Sequence, residues 1–224
     1  LDLTGPAQIL SRLPGAKVTL VARTLEPVPT DAGFPLLPTA TFEDMGTPDI
    51  LCVPGGFGVT AVLEDDATLA WVRAAGESAQ WVTSVCTGAI ILGAAGLLRG
   101  FRATTHWASH EALVLFGAIP VRERVVFDGN RVTGGGVTAG IDFGLALAAA
   151  IHGDEVARLI QLSVEYDPAP PFDAGTPDRA GEALIARYRA MAAKLSPNRD
   201  ARYRAAAERM EKGPAGQGGA SKAY

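Results

Sequence analysis

Cysteine is almost missing from this chain: its 224 residues carry only Cys52 and Cys86. Two are too few for a disulfide framework, and they lack the paired spacing of a zinc finger, so a reducing compartment is the natural setting. Long apolar runs are missing too. No stretch reaches the roughly 18 uninterrupted apolar residues that cross a bilayer, and the start has no basic region followed by an apolar run. A cytosolic (cytoplasmic) protein is expected, with no membrane partner. Nor is there an excess of positive charge: 20 Lys and Arg stand against 24 Asp and Glu, a net charge of −4. Nucleic acid is therefore not an expected partner, because phosphate binding needs clustered cations. The chain opens on Leu1 rather than Met, and Leu1 to Pro6 reads as the end of a strand entering a helix, so a preceding strand is expected outside this sequence.

What is present is core material. Hydrophobic residues make up 48% and charged residues 20%, enough for one sizeable domain. Apolar runs of strand length alternate with helical patterns, which predicts an α/β fold: a mostly parallel sheet with helices on both faces. Strands are expected at Lys17 to Ala22, Asp49 to Val53, Trp81 to Val85 and Arg102 to Thr105. A hairpin is expected from 123–126 and 130–133 about a Phe127-Asp128-Gly129 turn. Helices are expected at 6–13, 65–79, from Gly88 to Leu98, 108–116, 139–151 and 154–166, the fifth apolar on nearly every side and so buried. Pro168, Pro170 and Pro171 enforce an extended segment. From about Arg179 the pattern is an amphipathic helix. Residues 1–196 are expected to form the domain; 197–224 are expected to be a charged helix, Arg199 to Lys212, and a disordered tail.

The residues able to carry chemistry gather at predicted strand ends. Cys86 falls where the strand Trp81 to Val85 gives way to a helix. A side chain on such a turn projects from the carboxyl edge of the sheet, where open α/β sheets bind ligands. A helix N-terminus also favours thiolate, so a lowered Cys86 pKa is expected. A buried, inert thiol is the alternative, and it is the expected state of Cys52, which lies inside an apolar run. Gly55 and Gly56 end the preceding strand, where their amides, with that of Thr87, could hold developing negative charge. A plain turn is equally open. Gly134 to Ala139 matches G-x-G-x-x-A only superficially, since it does not open the first βα unit and no ribose-binding acid follows; a tight turn approaching the site is expected. His106 and His110 stand four apart, but without the Glu of the zinc-protease motif or a third ligand, so capping or core hydrogen bonding is expected in place of metal binding. Asp2 could be an ordinary helix cap, or an acid near Cys86 with a raised pKa.

Taken together, Asp2-Leu3-Thr4-Gly5-Pro6, Val53-Pro54-Gly55-Gly56, Ser84-Val85-Cys86-Thr87-Gly88, Ala103-Thr104-Thr105-His106-Trp107 and Gly134 to Asp142 resemble the DJ-1/PfpI superfamily, and most of all its isocyanide (isonitrile) hydratases. The similarity runs from Leu1 through the Tyr166–Pro177 segment. It implies a flavodoxin-like, three-layer DJ-1 sandwich and a homodimer. It also implies Cys86 as nucleophile, Asp2 as acid/base and Thr87 as a hydrogen-bonding partner, with Gly55, Gly56, Gly136, Val137 and Thr138 around the substrate. The reaction implied is hydration of an isocyanide to a formamide through a Cys86 thioimidate, with no metal or organic cofactor. Thr87 stands where protease- and deglycase-like members usually carry histidine, and only about 60 residues follow Tyr166, whereas the related AraC-type regulators add a DNA-binding domain. Two alternatives remain: a non-catalytic thiol sensor oxidised at Cys86, and glyoxalase- or deglycase-like chemistry on carbonyls.

Overall fold

Residues 1–212 are described by a computed structural model; the tail from Gly213, expected to be disordered, lies outside them. The chain enters through α1 (Thr4–Leu10) and passes through four two-residue strands, β1 (Val21–Ala22), β2 (Val28–Pro29), β3 (Pro35–Leu36) and β4 (Ala40–Thr41). Regular alternation begins with β5 (Ile50–Val53), α2 (Val59–Val62), α3 (Asp66–Ser78), β6 (Trp81–Val85) and α4 (Gly88–Ala94). Next come β7 (Arg102–Ala103), a 3-10 helix at Trp107–Phe116, β8 (Ile119–Pro120) and the hairpin of β9 (Val125–Asp128) and β10 (Arg131–Gly134). Five helices complete the chain: α5 (Ala139–His152), α6 (Asp154–Ser163), α7 (Pro177–Ala180), α8 (Glu182–Leu195) and α9 (Arg199–Lys212).

The central sheet has the order β5-β6-β10-β9. β6 pairs parallel to both β5 and β10, and only β9 runs antiparallel. The register sets Val53 against Ser84 and Val85 against Gly134, so the carboxyl ends of β5, β6 and β10 meet at one edge. β6 is central because Val82 to Val85 are all buried, as a strand covered on both faces requires. One face packs α2, α3, α4, the 3-10 helix and α9 around Val82, Ile90, Leu92, Leu98 and Phe116; the other packs α1, α5 and α6 around Ile9, Val85, Val132, Phe143 and Leu147. The result is the expected three-layer α/β sandwich. α3 starts where Asp65 caps it, accepting a hydrogen bond from the Thr68 amide at 3.2 Å. Arg199–Lys212, set apart in the sequence by Pro197, contributes Tyr203, Ala206 and Ala207 to the first core cluster. No helix among the described residues is long and apolar enough to cross a membrane.

Several expected elements are corrected. Of Lys17 to Ala22 only Val21–Ala22 forms a strand, because its partner β4 offers two rungs; Leu20 bonds instead to Thr39, its amide donating to Oγ1 at 2.9 Å. Arg102 to Thr105 stops as a strand at Ala103, where Thr104 donates its amide to the Thr133 side chain at 2.9 Å. The hairpin turns at Gly129-Asn130, since Asp128 pairs with Arg131. The helix after Cys86 ends at Ala94, and the 108–116 helix is 3-10. The helix from Arg179 is divided at Gly181, whose φ of 77° departs from helix geometry. α5 is buried along one stripe only; Leu145, Ala149 and Ile151 are half-exposed.

Candidate active site

Cys86 sits at the sheet edge with φ 57°, a left-handed conformation that costs a non-glycine residue about 1–2 kcal/mol. Surrounding groups hold it there. Its amide donates to the carbonyls of Gly134, at 3.1 Å, and Gly135, at 2.8 Å. Its carbonyl accepts from Thr105 Oγ1 at 2.7 Å. Thr105, 3% exposed, thereby clamps the turn from the segment after β7. Sequence reading assigned it no role, although it stands inside a motif already singled out. Gly88 lets α4 start directly over β5: a Cβ there would lie 2.0 Å from the Val53 carbonyl oxygen.

Asp2 is brought to this turn by the start of α1, and it is buried. Its carboxyl lies against the Gly55 backbone, where a built Cβ would come within 2.9 Å of Oδ2. Burial raises the Asp2 pKa against the opposing pull of the neighbouring Cys86 thiol and Gly55 amide. It does not cap α1, whose N-terminus has no side-chain partner. The Cys86 thiol is pushed up to about 12, first by burial and then by the Asp2 charge, against the opposing pull of the Thr87 and Val137 amides. The expected lowering of the Cys86 pKa is thus corrected: burial and a neighbouring carboxylate outweigh the helix N-terminus. Cys86 itself is 5% exposed. Cys52 is likewise pushed up, to about 11, by burial.

The loop residues divide their tasks. Gly56 donates its amide to Thr87 Oγ1 at 3.0 Å, which corrects its expected role as a donor free to meet substrate. A Cβ at Gly55 would lie 2.5 Å from the Thr87 nitrogen and 2.9 Å from Asp2 Oδ2, so only glycine allows this approach. The Val137 amide pulls the Cys86 pKa down, against burial. Gly136 packs against His106, while Thr138 is exposed and its hydroxyl faces Arg124 at 3.4 Å. Arg124 pairs with Asp142 at 2.5 Å, and Tyr166 donates to the same carboxylate at 3.2 Å, which fastens the start of α5 to the end of α6. The amides of Thr87 and Val137 thus both favour the thiolate form, and such a pair can stabilise negative charge developing on a bound atom.

His106 caps the 3-10 helix, its Nδ1 accepting from the Ala108 amide at 3.2 Å. His110 is buried, with no hydrogen bond to either ring nitrogen among the described residues and the Glu111 carboxylate 4.0 Å from Nδ1, which corrects its expected hydrogen-bonding role. Among the described residues no three His, Cys, Asp or Glu gather as a metal site. Tyr188 on α8 was missed in the sequence; it lies against His106 and Trp107, with ring centroids 5.8 and 5.0 Å apart. The stripe that carries it identifies a helix face, and gives no sign that the face meets the site.

The DJ-1/PfpI family profile matches residues 1–150. The chain is similar to an isonitrile hydratase from Pseudomonas putida, 55% identical over 193 residues, 86% of this chain and 85% of that protein. It is also similar to an HTH-type transcriptional regulator, CdhR, from Pseudomonas aeruginosa, 31% identical over 62% of this chain but only 41% of the regulator. Among solved structures, a ThiJ/PfpI family protein from Pseudomonas syringae superposes with a TM-score of 0.86 at 44% identity, covering 92% of this chain and 84% of that one.

Proposed function

Because the chain belongs to the DJ-1/PfpI family, we propose that it is an isonitrile hydratase of the hydro-lyase class, converting an isocyanide to an N-substituted formamide at Cys86. The observation that carries this reading is the burial of Asp2 and Cys86 at one sheet edge, near enough for each to shift the other's proton affinity. The 55% identity to the Pseudomonas putida hydratase supports it.

The pair suits a substrate whose terminal carbon needs both a nucleophile and a proton. In the resting site the sulfur keeps its proton, since both burial and the Asp2 charge disfavour thiolate. As sulfur attacks the terminal carbon of R–N≡C, Asp2 takes the thiol proton and delivers it to that carbon, leaving the thioimidate R–N=CH–S–Cys86. The carboxylate is then free to accept a proton from water as its oxygen adds to the same carbon. The nitrogen takes up a proton, the C–S bond breaks, and the thiol regains its hydrogen as R–NH–CHO leaves. Thr87 and Val137 amides face the reacting centre, and the sequence of steps balances without any cofactor.

The test is direct: mix the reduced full chain with an aryl isocyanide and follow formamide absorbance. Turnover that disappears in Cys86→Ala is expected; no turnover with several isocyanides would sink the assignment. We further propose that the protein works in the cytoplasm as a homodimer. Leu159, Leu162 and Phe172, which are 66%, 77% and 81% exposed, offer apolar area suited to a second copy. Sedimentation of the full chain as a monomer at micromolar concentration would remove the dimer.

A further inference from the structure

With Cys86 only 5% exposed, whatever covers the sulfur decides what reaches it. Three rings lie together beside the site. Trp107 and Tyr188 centroids are 5.0 Å apart, and His106 lies 5.6 Å from Trp107 and 5.8 Å from Tyr188, the separations of packed aromatic side chains. His106 links this cluster to the nucleophile: a Cβ built on Gly136 would lie 3.1 Å from its ring, and its neighbour Thr105 donates from Oγ1 to the Cys86 carbonyl at 2.7 Å. Tyr188 and Trp107 also line a cleft of about 770 Å³ with Ala108, Leu115 and Ala192, to which Cys86 does not contribute. The rings thus have the nucleophile near one side and open space on the other.

α8 is the part of this wall best able to move. Of its 14 residues only Ala192 is buried. Gly181, at φ 77°, separates it from α7, and it lies beyond residues 1–150 matched by the family profile.

We propose that Tyr188 is a specificity-determining gate: its ring, packed on His106 and Trp107, stands between the Cys86 turn and the cleft and limits the R group of the isocyanide to small or flat apolar groups, against branched ones. The substrate class rests on the hydratase reading; the gate can also be tested on the sulfur alone.

Two measurements on the full chain decide it. In the first, kcat/KM is compared for methyl and adamantyl isocyanide in wild type, Tyr188→Phe and Tyr188→Ala. The adamantyl-to-methyl ratio should rise about tenfold in Tyr188→Ala, the scale on which a pocket discriminates by size, and stay within about twofold in Tyr188→Phe, which keeps the ring. In the second, Cys86 is alkylated with N-cyclohexylmaleimide and with iodoacetamide and followed by intact mass, with Cys86→Ala reporting any reaction at Cys52. The bulky-to-small rate ratio should again rise about tenfold in Tyr188→Ala. Tyr188→Leu replaces that variant should circular dichroism show it unfolded. An unchanged ratio in either measurement overturns the gate. Wild-type turnover with an unchanged ratio leaves the hydratase reading standing, whereas absence of wild-type turnover removes that reading and leaves alkylation to decide the gate.

Discussion

At the scale of single residues, the proposed chemistry turns on Asp2 and Cys86, two buried groups that shift each other's proton affinity. The thiol is pushed up to about 12 by burial and by the Asp2 charge, so at neutral pH the resting sulfur is protonated and its alkylation rate should climb only in strongly alkaline solution. In Asp2→Asn the negative neighbour is gone. Cys86 should then ionise at a lower pH than in wild type, and a pH profile of iodoacetamide labelling should show its inflection move down. Catalysis should go the other way: Asp2→Asn should lose about 10²- to 10⁴-fold in kcat, the usual contribution of a positioned acid/base, with an unchanged circular dichroism spectrum. Cys86 was legible in the sequence because a strand-to-helix junction is a local pattern. Its acidity was not, since it is set first by burial and then by a carboxylate from the start of the chain, and only folding brings both to the sulfur.

Secondary-structure elements hold that pair in register, and two glycines separate their contributions. Gly88→Ala would put a Cβ 2.0 Å from the Val53 carbonyl oxygen and 2.8 Å from its carbon. Backbone cannot swing away, so a urea titration should show a loss of about 1–3 kcal/mol in stability. Gly55→Ala meets Thr87 and Asp2 Oδ2, and a displaced acid should lower kcat by about a hundredfold while the urea midpoint changes less than in Gly88→Ala. β5 and β6 were readable as short, mostly apolar runs ending at turns, and β10 as the second arm of a hairpin marked by Asp128-Gly129. β1 and β7 were overextended, because pairing partners, and not side-chain pattern, set where a strand stops. The 3-10 helix at Trp107–Phe116 likewise follows from its capping by His106 and its packing, and its apolar residues fit an α-helix equally well.

For the whole molecule, α9 carries a consequence its charge conceals. Tyr203 is 2% exposed within the main core cluster, and its hydroxyl lies 3.4 Å from Ser109 Oγ. Tyr203→Ala should therefore destabilise the protein by about 3–5 kcal/mol, the cost of removing a large buried ring, and thermal melting should report it as a single lowered transition. A helix that merely decorated the surface would give almost no shift. The sequence pattern separated this helix from the domain at Pro197 because 14 residues rich in Arg and Glu resemble a solvated face, and three buried positions are too few to stand out.

By itself the sequence determined the α/β class, the order of strands and helices about the nucleophile, the location of Cys86 and the family motifs, because hydrophobic period and glycine placement act between near neighbours. Tertiary structure alone decided that Asp2 is buried near Cys86 and raises its pKa, that Thr105 clamps the nucleophile's backbone, that Gly56 serves Thr87, and that Tyr188 packs on His106 and Trp107. Each of these depends on groups remote along the chain being desolvated together, and burial of that kind is a property of the packed whole.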